Sequence, residues 1–438
     1  MCLLYQIGTS LLALLALPIL LCLAARQKYR HRFLRRLGWG LQQQLAQSLT
    51  PAATPTFWLH ALSVGEVTSA LPLVRGLRDT YPTASIVFSV TTRSGSEVAR
   101  KLLFPHIDAL IAAPLDLGPV VPMFIRAIRP DLFILVETDF WPHWLHFLAR
   151  QGIPTLLVNG RISVASFQRY QRLLPLFRPM FGSFTLLSMQ TAADAATMRN
   201  LGLNASRVMN LGNLKFDTSH LRTLEYDQSA IACNRERYGF ASAPPLWICG
   251  STHRGEEAII FEVFCALRAH MYDLQLLLAP RNVERGQEIV ALARQFGLSS
   301  RRWSNDQKGQ GSLLILDTIG ELAACYAMAD VVFVGGSLVA AGGHNPIEPA
   351  AAGVAVIFGP HMEDFSEIAA TLVQSGGALQ ITSTDALRTT IHHILTDSSL
   401  QQSMAKAGWR YVQDNRGVVR RHLQAIDELL IAPVAGNQ

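Results

Sequence analysis

The sequence has 438 residues, which is longer than one typical domain core and long enough for two domains and an appendage. Its net charge of +6 does not indicate a nucleic-acid-binding protein, because six of its 38 cations lie between residues 26 and 36 and the remaining 32 equal the 32 acidic residues. Its six cysteines include no Cys-x-x-Cys pair and predict neither a zinc site nor a disulfide framework.

The amino-terminal segment is uncharged over residues 1–25 and is almost entirely Leu, Ile and Ala from Leu11 to Leu23. This length suits a bilayer core of about 30 Å, so we expect a transmembrane anchor at 1–25, kinked at Pro18. The cations that follow predict a basic juxtamembrane segment at 26–50, with the later domains in the cytoplasm. A cleaved signal peptide is the alternative, although its usual cationic start is missing.

The rest of the chain alternates short apolar runs with helical stretches, which predicts an α/β fold of two doubly wound, Rossmann-like domains. We expect a first domain at 51–220, a linker at 221–240 and a second domain at 241–438, whose last helix packs back on the first. Two such domains usually bind a ligand in the cleft between them. The predicted strands are 57–62, 85–91, 109–112, 132–136, 155–158, 184–188, 208–211, 246–249, 274–278, 313–316, 331–334, 355–358 and 378–381.

The first strand is followed by a loop that ends in Gly65 and Glu66, where a helix is predicted to begin. A carboxylate at this position suits a general base that removes a proton from an attacking hydroxyl. Ser63 and Glu66 also fit a helix-capping box, which needs no substrate. The sequence alone leaves both interpretations open.

Two carboxylates and an aromatic ring follow the predicted strand 132–136. Glu137, Asp139 and Trp141 suit hydrogen bonds to sugar hydroxyls and packing on an apolar sugar face. The alternative is that the two acids complement the dipole of the next helix. Lys215, at the end of the first domain, suits developing negative charge, or is an ordinary solvated lysine.

Three turns of the second domain follow predicted strands and could contact a nucleotide. The turn after the first strand of this domain contains Ser251 and His253. Pro280 and Arg281 end another strand, and arginine there suits bidentate phosphate binding. The third turn, 317–322, offers backbone amides and a threonine hydroxyl.

The stretch 335–353 is the most informative part of the chain, because glycines link a predicted buried strand to a helix start. Converging amides at such a helix start suit a phosphate group. Capping alone would explain Asn345 as N-cap, Pro346 as first helical residue and Glu348 as its partner. It would not explain the glycines before them, or His344, which either lines a ligand site or braces the loop.

Several nucleotide-binding motifs are absent from the sequence. It contains no G-x-x-x-x-G-K-[ST] and no G-x-G-x-x-G at the first helix, so P-loop hydrolysis and dinucleotide binding are not supported. No Asp-x-Asp stands at a strand end to hold a metal on a diphosphate. We therefore expect neither a metal nor a cofactor. The expected leaving group is a monophosphate, bound by helix dipoles and by Arg and Lys side chains.

The ordered motifs of the chain resemble those of the 3-deoxy-D-manno-octulosonic acid (Kdo) transferases of lipopolysaccharide synthesis. The resemblance runs from about residue 30 to the carboxyl-terminal region. It implies a GT-B fold and a metal-independent, inverting transfer of Kdo from CMP-Kdo to the lipid A precursor lipid IVA, at the cytoplasmic face of the inner membrane. The motifs are 60–66, 137–142, 212–217, 250–253, 280–281 and 342–349.

The resemblance also implies roles for individual residues. Glu66 would be the base, and Glu137 and Lys215 would support the transition state. The residues assigned to the acceptor are Ser63, Gly65, Asp139 and Trp141. The residues assigned to CMP-Kdo are Ser251, His253, Pro280, Arg281, Ile319, Gly320, Glu321, His344, Asn345, Pro346, Ile347 and Glu348.

Two motifs depart from the family pattern. Asn282 stands where histidine is common, which puts one imidazole contact in doubt, and Asp139 and His143 replace a commoner Glu and Asn, which could change acceptor contacts. Two other functions stay open: an epimerase or hydrolase of nucleotide sugars on the same fold, and a membrane-tethered regulator that binds a nucleotide without turnover. The number of Kdo units added is not readable from the sequence.

Overall fold

Two seven-stranded parallel sheets organise the chain in a computed structural model that describes residues 33–50, 54–137, 139–217, 228–305 and 311–431. Each sheet belongs to its own compact unit. The first unit comprises residues up to Thr218 together with those from Gly417 onward, and the second comprises Ser219–Arg416. The prediction of two doubly wound α/β domains is confirmed.

The first sheet has the strand order β3-β2-β1-β4-β5-β6-β7. Successive strands are added on one side of β1 as far as β3 and then, from β4, on its other side, so the switch point lies between β1 and β4. Its central strands are buried on both faces, which explains their continuous apolar sequence. The strands are β1 Thr56–Ala61, β2 Ser85–Val90, β3 Ala109–Ala112, β4 Leu132–Val136, β5 Thr155–Gly160, β6 Leu186–Met189 and β7 Val208–Asn210.

Helices cover this sheet and include one from the far end of the chain. They are α1 Leu41–Ser48, α2 Val64–Thr80, α3 Arg93–Leu102, α4 Val120–Ile128, α5 Pro142–Arg150, α6 Val164–Arg172, α7 Leu174–Phe181, α8 Ala192–Arg199 and, after the second unit, α17 Val418–Ile431. The last helix is fixed by His422, whose fully buried ring lies 2.8 Å from the hydroxyl of Ser188.

The second sheet repeats the pattern with the order β10-β11-β9-β8-β12-β13-β14, and its reversal lies between β8 and β12. Its strands are β8 Leu246–Thr252, β9 Gln275–Pro280, β10 Arg301–Arg302, β11 Leu313–Ile315, β12 Val331–Val334, β13 Ala355–Phe358 and β14 Ala378–Gln380. Its helices are α9 Gln228–Arg237, α10 Glu256–Arg268, α11 Gly286–Gln295, α12 Leu322–Cys325, α13 Ile347–Ala351, α14 Ser366–Gln374, α15 Thr384–Thr396 and α16 Ser398–Asn415.

The segment expected to be a linker, 221–240, contains the helix α9, which belongs to the second unit. Arg235 attaches it there, because its buried guanidinium donates to the carbonyl of Met328 and lies 2.7 Å from the carboxylate of Asp330. Its guanidinium also donates to the carbonyls of Ser242 and Pro244. These hydrogen bonds hold the segment on the second unit although its sequence has only a weak apolar pattern.

The prediction of a single-pass protein of the inner membrane is contradicted. None of the helices among the described residues is long and apolar enough to cross a membrane. The predicted anchor at 1–25 and the first part of the basic segment at 26–50 lie outside the described residues.

Candidate active site

The topological switch point of each sheet brings together most of the candidate residues of that unit. In the first unit, Glu66 follows β1, and Glu137 and Asp139 follow its neighbour β4. In the second, His253 follows β8 and His344 follows its neighbour β12. Ligands of doubly wound sheets bind at this position, outside the carboxyl ends of the strands.

Glu66 occupies the first turn of α2 and is only 6% exposed. Its carboxyl group accepts a hydrogen bond from the backbone amide of Leu62, whereas the side chain of Ser63, the N-cap, makes no cap hydrogen bond. Only the acidic half of the predicted capping box is therefore present. A side chain at Gly65 would meet only the Ser63 hydroxyl, at 3.9 Å, so Gly65 leaves open space at the start of α2.

The environment of Glu66 favours its neutral form. Burial raises its pKa to about 8, and the negative charges of Glu137 and Asp139 act in the same direction. The backbone amides of Leu62 and Ser63 oppose this shift without cancelling it. A carboxyl group that ionises near neutral pH is suited to accept a proton during catalysis.

Glu137 is held at the end of β4 by polar side chains. Its carboxylate accepts from the hydroxyl of Ser69 at 3.4 Å and from the amide of Asn159 at 3.3 Å. Glu137 and Asn159 both have positive φ, 63° and 59°, which is uncommon for residues with side chains. Such backbone strain tends to be kept where a side chain must be aimed at a functional site.

The turn that contains Lys215 is tied to Glu137 through three amide side chains. Asn159 accepts from the Leu214 amide at 3.0 Å, and Gln190 donates to the Asn159 carbonyl at 3.0 Å. Asn213 in turn donates to Gln190 and accepts from the Lys215 amide. The ends of β4 to β7 thus form one hydrogen-bonded rim beside Glu137.

Asp139 pairs with His60, since the Asp139 carboxylate lies 3.1 Å from Nε2 of that fully buried ring. Trp141 is the N-cap of α5 and packs, partly buried, on the core of the unit. His143 is 1% exposed, and its Nδ1 lies 2.9 Å from the carbonyl of Asp116. The structure therefore places His143 in the packing of α5 beneath the site.

The predicted donor-binding residues of the second unit follow β11, β9, β8 and β12, which are consecutive neighbours in the sheet. Ser251 lies inside β8 with φ 59° at an irregularity of the strand, and Pro280 is the buried last residue of β9. Arg281 has an exposed side chain, and its amide donates to the carbonyl of Thr252 at 3.0 Å. Four turns of the predicted site therefore share one edge.

Glu256, which the sequence did not single out, fills the anion site of the glycine stretch. It is fully buried and accepts from the amides of Gly336, Ser337 and Leu338 at 2.7 to 3.0 Å, and from that of His253 at 2.8 Å. These amides are therefore not directed at a phosphate. The sequence signal that could have identified Glu256 is an acidic residue at the first position of a helix, directly after a glycine loop.

Three glycines of the same stretch are required by close approach of the chain to itself. A side chain at Gly335 would meet backbone atoms of Ser251 and Thr252 at 2.7 Å or less. Gly342 and Gly343 both have positive φ and lie against residues 361–364. The need for close approach was inferred correctly, but what approaches is the protein itself: backbone atoms at Gly335, the Asp364 side chain at Gly342, and both kinds of atom at Gly343.

His253 and His344 form a stacked pair whose Nε2 atoms are 2.8 Å apart. One of these nitrogens must donate and the other accept, so the pair shares a single proton. Burial lowers the pKa of His344 to about 4, and the charge of Arg281 contributes. Gly336 leaves the space for the two rings, since a side chain there would come within 3.4 Å of both.

Helix α13 begins one residue later than the capping pattern predicts. Pro346 is the N-cap, and Asn345 accepts from the amide of Ile347 at 3.1 Å. The Asn345 amide group donates to Glu348 at 3.2 Å, so the two side chains brace each other across the helix start. Asn345 nevertheless makes the predicted capping contact with the amide two residues on, and Pro346 already has helical φ and ψ.

The turn between β11 and α12 has one exposed apolar residue. Ile319 is 85% exposed, and Gly320 beside it has φ 97°. Glu321 faces inward and accepts from Trp303 at 3.0 Å and from the hydroxyl of Thr318. Glu321 therefore holds the turn, while Ile319 is presented to solvent.

No group of three or more His, Cys, Asp or Glu side chains that could hold a metal ion occurs in the described ranges. Residues 31–218 match the family described as 3-Deoxy-D-manno-octulosonic-acid transferase (kdotransferase).

Two similar proteins carry the name 3-deoxy-D-manno-octulosonic acid transferase. The one from Haemophilus influenzae is 34% identical over 96% of this chain and 98% of its own length. The one from Chlamydophila psittaci is 32% identical over 80% and 79%. Among solved structures, UDP-GlcNAc 2-epimerase from Neisseria meningitidis has a TM-score of 0.59 at 10% identity, covering 85% of this chain and 100% of that one, which shows a shared fold.

Proposed function

This chain belongs to the 3-deoxy-D-manno-octulosonic acid (Kdo) transferase family and is a Kdo-transferring glycosyltransferase, and on that premise we propose its substrates and mechanism. The donor is CMP-Kdo, and the acceptor is a hydroxyl of the lipid A precursor lipid IVA. The product enters lipopolysaccharide synthesis. A transferase that uses an activated sugar needs a base for the acceptor and a site for the departing nucleotide.

The observation that carries this proposal is the environment of the Glu66 carboxyl group and the raised pKa that results from it. Its carboxyl group is buried, lies next to two further carboxylates and has a pKa raised to about 8. Gly65, the residue before Glu66, leaves open space at the start of the same helix. Only the ionised form accepts a proton, and a base with a pKa near the working pH takes it most effectively.

In the proposed reaction the acceptor hydroxyl attacks the anomeric carbon of Kdo while Glu66 takes the hydroxyl proton. The new C–O bond forms on the face opposite the nucleotide, and the bond between the anomeric carbon and the phosphate oxygen breaks. CMP leaves with both bonding electrons, and the configuration inverts. Glu137 and Lys215 support the developing charges, and the reaction uses neither a metal nor a cofactor.

For the donor we propose contacts with the four turns of the second unit. Arg281 would neutralise the phosphate, because its exposed side chain carries a positive charge that also acts on the buried ring of His344. Ile319 supplies an exposed apolar surface for the cytosine ring. Asn345 and Glu348 keep the start of α13 in place at the same edge of the sheet.

For the acceptor we propose Ser63, Gly65, Asp139 and Trp141, with Trp141 packing on a sugar face. Gly65 has no side chain and open space around it, so an acceptor hydroxyl would meet no side chain there as it approaches the start of α2. Because His143 is buried against Asp116, the change at that position relative to the family pattern acts through α5.

The test is a turnover assay with purified protein, CMP-Kdo and lipid IVA, in which release of CMP and the mass of the product are measured. Glu66→Gln should lower kcat by about 10²- to 10⁴-fold with CMP affinity unchanged. Glu97→Gln is the matched control, because Glu97 is an exposed glutamate of the same unit. Full turnover by Glu66→Gln would exclude Glu66 as the base, and hydrolysis of CMP-Kdo without a glycosylated lipid would exclude the transferase reaction.

A further inference from the structure

One half of the first unit is strongly basic. Residues 140–216 contain eight cations, seven of them arginines, against a single acidic residue, Asp194. Asp194 is only 8% exposed, and its carboxylate accepts from the Ile162 amide at 2.9 Å and from the Thr191 hydroxyl at 2.7 Å. This stretch of the chain therefore supplies no exposed carboxylate that could pair with its arginines.

A cavity of about 290 Å³ lies within this basic half. It is located between the end of α7 and the loop that precedes β7, at the amino end of β6. Two exposed arginines, Arg178 and Arg207, line it together with the buried side chains of Phe181 and Leu187. Because the strands are parallel, this edge of the sheet is opposite the one that carries Glu137, so the cavity is separate from the candidate active site.

The guanidinium of Arg178 is held at this cavity by packing. Gly202 has φ 78°, and a side chain there would come within 3.3 Å of the guanidinium, so the glycine leaves the space in which the charged group lies. Among the residues that the structure describes, the Arg178 side chain forms no hydrogen bond and no ion pair. Its five N–H donors are therefore all left for a ligand.

Arg207 and Asn204 add further donors to the cavity. Arg207 donates through one nitrogen to the carbonyl of Gly182 at 3.1 Å, which fixes the side chain and leaves its other N–H groups for a ligand. The Asn204 side-chain oxygen accepts from the amide and the hydroxyl of Ser206, so its NH₂ group remains. Each polar side chain of the lining thus offers donors, and two of the three are cationic. Such a set binds an oxyanion and repels a cation.

The size and the apolar lining of the cavity narrow the class of ligand. Sites for small molecules start at about 300 Å³, so this cavity has room for an anionic group with a short organic part. Guanidinium groups match the several oxygens of a phosphate, and the apolar lining suits the carbon atoms of an ester. We propose that this cavity binds the phosphate group of a small organic ester, at a site separate from those of the donor and the acceptor. The ester is either a soluble molecule or a lipid headgroup.

The test is isothermal titration calorimetry of the full chain with glycerol 3-phosphate and with inorganic phosphate, in the presence of excess CMP. Arg178→Gln should raise the Kd of both probes about tenfold, and it should fold like wild type because it breaks no hydrogen bond of the described residues. Arg172→Gln is the matched control, because Arg172 is an exposed arginine of the same basic half at the end of α6. Equal weakening in both variants, or no binding by wild type, would overturn the proposal.

Two further measurements locate the anion and identify its source. Arg281→Gln, in the second unit, should leave the Kd of phosphate unchanged, and loss of binding in this variant but not in Arg178→Gln would overturn the proposal. Vesicles of phosphatidylcholine with phosphatidylglycerol distinguish the two sources. If a lipid headgroup occupies the cavity, Arg178→Gln should bind these vesicles more weakly than Arg172→Gln does. If a soluble ester occupies it, the two variants should bind vesicles equally and differ only with glycerol 3-phosphate.

Discussion

Glu66 and Glu256 are both buried glutamates in the first turn of the helix that follows the first strand of their units, yet their surroundings are opposite. Glu256 accepts from four backbone amides of two loops. Glu66 accepts from the Leu62 amide, and Glu137 and Asp139 add negative charge. The number of donors, and the sign of nearby charge, thus decide whether a carboxyl group at this position holds loops together or stays reactive.

The largest expected effect is on stability and tests the structural role of Glu256. Glu256→Gln replaces a buried acceptor of four amides by a side chain with one acceptor atom, so we expect the free energy of unfolding of the second unit to fall by about 3 kcal/mol or more. Urea denaturation measures it. Glu262→Gln, on the exposed face of the same helix, is the control. Loss of less than about 1 kcal/mol would mean that the four hydrogen bonds contribute little.

The next effect tests the reactive half. The folded pKa of Glu66 is above its unfolded value, so the native state binds more protons between about pH 4.5 and pH 8, and the Glu66 contribution to stability falls as pH rises through this window. Glu66→Gln removes this penalty. Its stability relative to wild type should therefore increase with pH and reach a gain on the order of 3 kcal/mol near pH 9.

Urea denaturation at several pH values gives this difference, with Glu97→Gln as the exposed control. A gain that is constant with pH would show that the carboxyl group of Glu66 is not held neutral by the fold.

The smallest effect concerns a proposed apolar contact, which involves neither Glu66 nor Glu256. Ile319→Ser removes an exposed apolar surface that is proposed to contact cytosine, and we expect the Kd of CMP to rise about tenfold, or about 1.4 kcal/mol. Isothermal titration calorimetry with CMP measures it. Tyr272→Ser is the control, because Tyr272 is also a large exposed hydrophobic side chain of this unit, 80% accessible, and lies before β9, away from the four turns. Equal affinity for CMP in both variants would remove Ile319 from the donor site.

The strands of both sheets were predictable because buried parallel strands are written as continuous apolar runs. Ala109–Ala112, Leu132–Val136, Val331–Val334 and Ala355–Phe358 were predicted to the residue. The strand Arg301–Arg302 was not predicted, since two arginines have no apolar signal. Its place is fixed by pairing with β11 and by partners such as Asp317, which lies 2.6 Å from Arg302. Such long-range contacts leave no local pattern.

The sequence predicted which strand ends form the candidate site. It did not predict the side chains that hydrogen-bond to the site residues. Glu66 and Glu137 stand at the ends of recognisable strands, so their neighbourhood follows from topology. Asn159 and Gln190 were missed because single amides carry no motif, although they join Glu137 to the Lys215 turn. Glycines of the stretch 335–353 were correctly associated with close approach, but a sequence cannot say whether a ligand or the backbone approaches.

The helix α17 has a consequence for how the chain reaches its folded state. Asp217 binds the amides of Gly417 and Val419, although Asp217 and Gly417 are separated by 200 residues of sequence. At a synthesis rate of about 5–20 residues per second, roughly 10–40 seconds pass before the ribosome delivers this helix. Until then Ser188 lacks its His422 partner and the surface at Gly76 is not covered by Val419. The first unit to be translated is thus the last to be finished.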